Sequence, residues 1–161
     1  MNINVDKLLS CVDLLHEDYV ENKNNIKIFT NKYSFLFQYI LKHGLDIKEI
    51  KSILKGETRG VYYHNTNEIE VYAFSIKCDE DTLNQEIVFC MYHELRHYFQ
   101  WNYNKKLADK RTSMKVNDIG YETDPTERDA NYFAARMCKK YKDQISRKLN
   151  IYPDWSSPYC Q

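Results

Sequence analysis

Apolar residues recur along most of this chain every three or four positions, the spacing of one buried face of an α-helix. This spacing predicts helices from Val5 to about Tyr19 and from Ile26 to about Lys42. A shorter helix should follow Asp46, whose side chain suits an N-cap, and Gly56 should end it. We therefore expect residues 1–56 to form a helical scaffold.

The pattern changes to β-branched and aromatic residues in two short stretches, Gly60–His64 and Glu68–Phe74. Asn65–Asn67 separates them as a turn, so an antiparallel hairpin is predicted. A long central helix should follow, with Asp81 or Thr82 as its cap.

The central helix is expected to run to about Tyr103. Asn104–Gly120 shows no clear period, and a segment of this kind often covers a substrate cleft. Asp124 is a good N-cap and Pro125 suits the first helical position, so another helix should begin there and run towards Leu149. The predicted fold is a single α+β domain over residues 1–161. It is mostly helical, with residues 57–150 carrying the hairpin and two long helices, and residues 151–161 forming a tail.

Composition narrows the function classes. The chain has 161 residues, of which 43% are hydrophobic, which is enough for a buried core. Its formal net charge is zero, and no apolar run reaches the length of a membrane span, so neither nucleic acid nor a membrane is an expected partner. Five cysteines without paired spacing, and no signal-peptide pattern, favour reduced thiols and a cytoplasmic location.

The central helix contains the one motif that indicates chemistry, His93-Glu94-Leu95-Arg96-His97. Histidines four residues apart lie on one face of a helix, where both can bind one Zn²⁺. Glu94 projects to one side, where it can act as a general base on water without binding the metal. The opposite face of this helix is apolar and suits a core, with Val88, Met91, Leu95 and Phe99. The alternative is that both histidines are ordinary surface residues.

Glu127 is the candidate third ligand, in the first turn of the last long helix. Small residues on that helix, such as Ala130 and Ala134, would let it pack closely against the histidine helix. Glu127 also stands three residues after Asp124, where a capping-box glutamate belongs, so a structural role remains open. Glu122 is the other downstream choice.

Residues near these ligands are candidates for supporting roles. Asn131 lies one turn after Glu127 and could hydrogen-bond a ligand histidine or orient the Glu127 carboxylate. Asp129 is a fallback ligand or an acceptor behind the ligands. Cys90, one turn before His93, is expected to be a small buried apolar residue rather than a ligand.

Together, His93–His97 and the segment Glu127–Ala134, which reads ERDANYFA, resemble the ImmA/IrrE group of small zinc metallopeptidases. The resemblance covers Gly60 to about Met137. It implies a zincin-like domain of the gluzincin type, with His93, His97 and Glu127 on zinc and Glu94 as the base. It also implies a cytoplasmic enzyme, often carried by a mobile element, some of whose relatives cleave a partner repressor. The family usually has glycine where this chain has Arg96.

The implied reaction is hydrolysis of a peptide bond in a protein or peptide substrate. Tyr121 is the candidate donor for the oxyanion that develops, and Tyr103 and His64 are the other choices. A different class stays open: a non-catalytic protein- or DNA-binding module with a structural or vestigial metal site, using the basic segment Lys105–Lys115.

Overall fold

The computed structural model describes residues 3–110 and 124–155, apart from the side chains of residues 80 and 81. Within these residues the fold is α+β and mostly helical. The helices are α1 (Val5–Ser10), α2 (Glu17–Val20), α3 (Lys32–His43), α4 (Ile47–Lys55), α5 (Glu80–Tyr103), α6 (Lys105–Ala108) and α7 (Pro125–Leu149). The strands are β1 (Ile26–Ile28), β2 (Gly60–Tyr63) and β3 (Glu68–Val71).

The predicted hairpin is confirmed, since β2 and β3 pair antiparallel with Gly60 opposite Val71. The small antiparallel sheet expected from this hairpin alone is wrong, because β1 also pairs with β3, in parallel, and makes a mixed sheet of order β1-β3-β2. The predicted helix from Ile26 to Lys42 is therefore wrong in its first turns. The Asn31 side chain accepts hydrogen bonds from the backbone of Tyr33 and Ser34, so α3 begins only after it.

The predicted helix from Val5 to Tyr19 is also wrong as one element. It is divided into α1, a short 3₁₀ turn and α2, because Leu15 is extended and the His16 side chain caps α2. The helix after Asp46 and its end at Gly56 are confirmed, and Gly56 has the left-handed backbone that favours glycine. Asp79, rather than Asp81 or Thr82, caps α5 by accepting from the Thr82 backbone.

Residues of β3 and the residue directly after it belong to two hydrophobic clusters, one on each face of the sheet. Ile69 and Val71 belong to the larger cluster, which includes α1, α5 and α7. Tyr72, directly after β3, belongs to the smaller cluster with Phe35 of α3 and Ile53 of α4. The sheet therefore separates α3 and α4 from the long helices α5 and α7, which pack against each other.

Candidate metal centre

The two long helices place His93, His97 and Glu127 around one point. His93 Nε2 lies 3.0 Å from His97 Nε2. Glu127 Oε2 lies 3.2 Å from His93 Nε2 and 3.4 Å from His97 Nε2. Four ligands of a tetrahedral ion with bonds of about 2.0–2.1 Å are separated by about 3.3 Å. The three side chains can therefore hold one metal ion, as their sequence pattern predicts.

The helix faces explain this convergence. Val88, Met91 and Leu95 are fully buried in the larger cluster, so they fix the rotation of α5 and turn the histidines towards α7. On α7, Ala130 and Ala134 are fully buried, and such small side chains allow the two helix backbones to approach.

Glu127 is buried, and its Oε2 atom receives no hydrogen bond among the described residues. Burial alone would raise the pKa of this carboxyl, but the facing imidazoles of His93 and His97 outweigh burial and hold the pKa well below its usual range. This buried carboxylate oxygen has no hydrogen-bond donor among the described residues and faces two imidazole nitrogens. A cation bound between these three atoms would satisfy the oxygen.

The tautomer of His97 follows from Gln100, one turn later on α5. Gln100 Nε2 donates to the Thr126 carbonyl at 2.9 Å and to Asp129 Oδ2 at 2.8 Å, and both partners only accept. Gln100 Oε1 must then be the atom 2.9 Å from His97 Nδ1, which makes Nδ1 the donor. In neutral His97 the Nε2 lone pair therefore points into the centre, as metal binding requires.

Behind Gln100 lies an ion pair between the two helices. Arg96 Nε donates to Asp129 Oδ2 at 2.7 Å, and its guanidinium also donates to the Tyr19 hydroxyl at 2.7 Å. Burial alone would raise the pKa of Asp129, but hydrogen bonds from Arg96 and Gln100 hold it below its usual range. Asp129 is thus an acceptor behind the ligands and lies outside the metal group, while Arg96 ties α5 to α2 and α7.

Asn131 hydrogen-bonds a ligand histidine, which is one of the two roles that its position predicts. Its Oδ1 lies 2.9 Å from His93 Nδ1, so each ligand histidine has an amide oxygen at its outer nitrogen. Such partners orient the ring and fix its tautomer. Cys90 is buried, as expected, and burial raises the pKa of its thiol well above the usual value.

A cavity of about 200 Å³ opens beside the ligands, with His93, Glu94, Asn131, Arg59, Gly60 and Phe89 among its lining residues. Glu94 is 7% exposed and lies between this cavity and the start of β2. A Cβ atom on Gly60 would lie 2.7 Å from Cys90 Sγ and 2.9 Å from Glu94 Cγ. Only glycine at this position leaves room for the Glu94 side chain where it now sits.

The residues predicted to stabilise an oxyanion are not brought together with the three ligands among the described residues. Tyr121 and the alternative ligand Glu122 lie outside the described residues. The Tyr103 hydroxyl donates to the Glu21 carboxylate, so the Tyr103 side chain is engaged in a contact away from the three ligands. His64 packs against Trp101, with ring centres 4.4 Å apart, and Trp101 stands one turn after His97 on the same face of α5.

The roles of three residues at this site were not predicted from the sequence. They are Gln100, Arg96, which links α5 to α2 and α7, and Gly60. The spacing of Gln100, three residues after His97 on the same helix, is a signal that could have identified it. No local pattern points to the contact between Arg96 and Asp129, because the two residues lie 33 positions apart.

Comparisons with protein-family models, with curated proteins and with solved structures find no match to this chain. Among the described residues, no helix combines the length and apolar character needed to cross a membrane.

Proposed function

We propose that this chain is a zinc-dependent peptidase that hydrolyses a peptide bond in a protein or peptide substrate. One observation carries the proposal: His93 Nε2, His97 Nε2 and Glu127 Oε2 lie within 3.4 Å of one another, and Glu94 lines the cavity beside them.

The donor set favours zinc. Two imidazole nitrogens and one carboxylate oxygen form a set found in catalytic zinc sites, where three protein ligands leave one position open. Structural zinc sites are instead closed by four protein ligands, often cysteines. Cys90, one turn before His93, is not part of the metal group. A bound zinc ion would supply Lewis acidity and make a water molecule more acidic.

Glu94 is the proposed general base. Its carboxylate would take a proton from the attacking water and deliver it to the leaving amine. Its 7% exposure and its position at the cavity wall are compatible with that task. Gln100 and Asn131 would hold the two imidazoles in the tautomer that keeps their Nε2 atoms free for metal.

The edge of the sheet offers a place for an extended substrate. The Arg59 carbonyl accepts a hydrogen bond from the Tyr72 amide, so these two residues form a hydrogen-bonded pair directly before the Gly60–Val71 pair. Hydrogen-bonded and non-hydrogen-bonded pairs alternate in an antiparallel ladder. Gly60 and Tyr62 therefore direct their backbone N–H and C=O groups away from β3. β2 is an edge strand, and an edge strand beside a cavity can pair with an added peptide.

The proposal includes relationship to the ImmA/IrrE group, with a zincin-like fold of the gluzincin type. It also includes a cytoplasmic location and a regulatory protein, such as a repressor, as one substrate type. The motif residues His93–His97 and Glu127–Ala134, with the metal geometry they form, support it.

The test is cleavage of a synthetic peptide library in ¹⁸O-labelled water by zinc-loaded protein, with new carboxyl termini detected by mass spectrometry. We expect cleavage that a chelator abolishes and that Glu94→Gln lowers by about 10²–10⁴-fold while zinc is retained. Glu49→Gln is the matched control and should leave cleavage unchanged, since Glu49 lies on α4 and outside both the metal group and the cavity. Cleavage that is unchanged in Glu94→Gln would contradict the proposal. Retained zinc without any cleavage would favour a binding module.

A further inference from the structure

Helix α3 carries a second apolar face, which is turned to solvent. Tyr33, Phe37 and Leu41 recur every four residues and are 70, 69 and 72% exposed. Ile40 beside them, and Leu45 and Ile47 just after the helix, are also exposed. We name these six residues the α3 face, and we infer that it is the contact surface of a symmetric dimer of this chain.

The core of the protein does not account for this face. The opposite side of α3 already supplies Phe35 and Tyr39 to the smaller hydrophobic cluster, where they meet Ile50, Ile53 and Tyr72. A surface helix normally presents polar residues opposite its core stripe. Helix α3 is apolar on both sides, which is typical of a helix that has a second packing partner.

The area agrees with a two-fold interface. From the exposed fractions, and about 150–250 Å² for a large side chain, the α3 face presents on the order of 700 Å². The largest apolar patch of a typical monomer is about 300–600 Å². A standard interface buries about 800 Å² on each partner, so two such faces form one interface of ordinary size.

Charge is compatible with a second copy on the α3 face. Along the helix, the exposed polar neighbours Ser34 and Gln38 are uncharged, and Gln38 donates to the Ser34 hydroxyl at 3.1 Å. A cation that borders the face is Lys32, whose Nζ lies 5.0 Å from the centre of the Tyr33 ring. If two copies meet antiparallel at Phe37, the two Lys32 positions lie about 15 Å apart along the helix axis, so these like charges do not oppose each other.

The spacing also fits self-association. Residues four apart are separated by about 6 Å along a helix axis. If two α3 helices pack antiparallel across a two-fold axis at Phe37, then Tyr33 of each copy lies opposite Leu41 of the other. Each aromatic ring then packs on an aliphatic side chain or on its equivalent, in the self-complementary way that a two-fold interface requires.

This inference is independent of the proposed peptidase activity. The metal ligands lie on α5 and α7, whereas α3 packs on the other face of the sheet. A charge placed on the α3 face should therefore change association and leave metal binding intact.

The test is sedimentation of the full chain over a dilution series. We expect the wild type to sediment at twice the chain mass, and Phe37→Glu and Leu41→Glu each to raise the dimer dissociation constant at least about tenfold. Tyr152→Glu is the matched control, because Tyr152 is 85% exposed and lies outside the α3 face. Unchanged circular dichroism would show that each variant is folded.

A second measurement does not depend on those variants. Phe37→Cys should form an intermolecular disulfide on mild oxidation, because the two copies of this position meet at the axis. Tyr152→Cys should not form one. A monomeric wild type, a dimer unaffected by both charged variants, or equal cross-linking of the two cysteine variants would overturn the inference.

Discussion

Gln100 Oε1 accepts a hydrogen bond from His97 Nδ1 at 2.9 Å, and this contact fixes which nitrogen of His97 faces the candidate metal centre. The orientation of the Gln100 amide is itself determined by the Thr126 carbonyl and the Asp129 carboxylate. The second ligand helix, α7, therefore takes part in orienting a ligand that belongs to α5.

Gln100→Leu should weaken zinc binding about 10–100-fold, because His97 loses the acceptor that holds its tautomer and ring plane. Calorimetric titration of the metal-free protein with zinc measures this change. Gln144→Leu, the same substitution on α7 away from the centre, should leave the affinity unaltered. Equal affinity in the wild type and Gln100→Leu would show that His97 needs no orienting partner.

Asp129→Asn should destabilise the metal-free protein by about 1–2 kcal/mol at pH 7, because Arg96 loses a charge-assisted partner. The pKa of Asp129 is below its usual value in the folded protein. Its ionised form therefore stabilises the fold above the unfolded pKa of about 3.9, and this contribution is lost as pH falls through the folded pKa.

Urea unfolding of wild type and Asp129→Asn at several pH values measures that dependence. The difference in unfolding free energy should be constant near neutrality and shrink below about pH 4. Asp143→Asn, at an exposed position of α7, is the control. A difference that does not change between neutral and acid pH would argue against the ion pair as its cause.

Gly60→Ala should cost about 1–3 kcal/mol of stability, because the new methyl group overlaps Cys90 Sγ and the Glu94 side chain. It should also lower peptide cleavage while zinc binding is kept, since Glu94 has to move. Thermal unfolding measures the loss of stability, the peptide cleavage assay measures the loss of activity, and the zinc titration tests that metal binding is kept.

Adding Cys90→Ala removes the closest overlapping atom, so the double variant should lose less stability than the sum of the two single changes. Additive losses would mean that the contact at Cys90 is not the source of the effect.

Glu127→Gln should reduce zinc affinity by at least about 100-fold, because it replaces the anionic ligand with a neutral amide. Competition with a coloured chelator measures this range. Glu49→Gln on α4, a first-turn glutamate outside the metal group, is the matched control. Wild-type affinity in Glu127→Gln would remove this residue from the ligand set.

The sequence predicted the elements that carry the ligands well. The apolar stripe through Val88, Met91 and Leu95 and the cap and proline at Asp124-Pro125 are local signals, and the structure has α5 and α7 where those signals place them. Once both helices exist, their buried faces leave the histidines and Glu127 few places other than opposite each other.

The strand β1 could not be predicted in the same way. Ile26, Lys27 and Ile28 alternate as a strand does, but three residues before a helix also continue a helical pattern. Their strand conformation depends on pairing with Ile69–Val71, more than forty residues later, and nothing in the local sequence records that pairing. The same holds for Arg96 and Asp129, whose contact exists only after α5 and α7 have packed.

The most direct test of the account is an anomalous difference map at the zinc absorption edge, from crystals grown with zinc. The account predicts one peak about 2.0–2.2 Å from each of His93 Nε2, His97 Nε2 and Glu127 Oε2. No peak between these three side chains with zinc in excess, or a peak held by other residues, would contradict it.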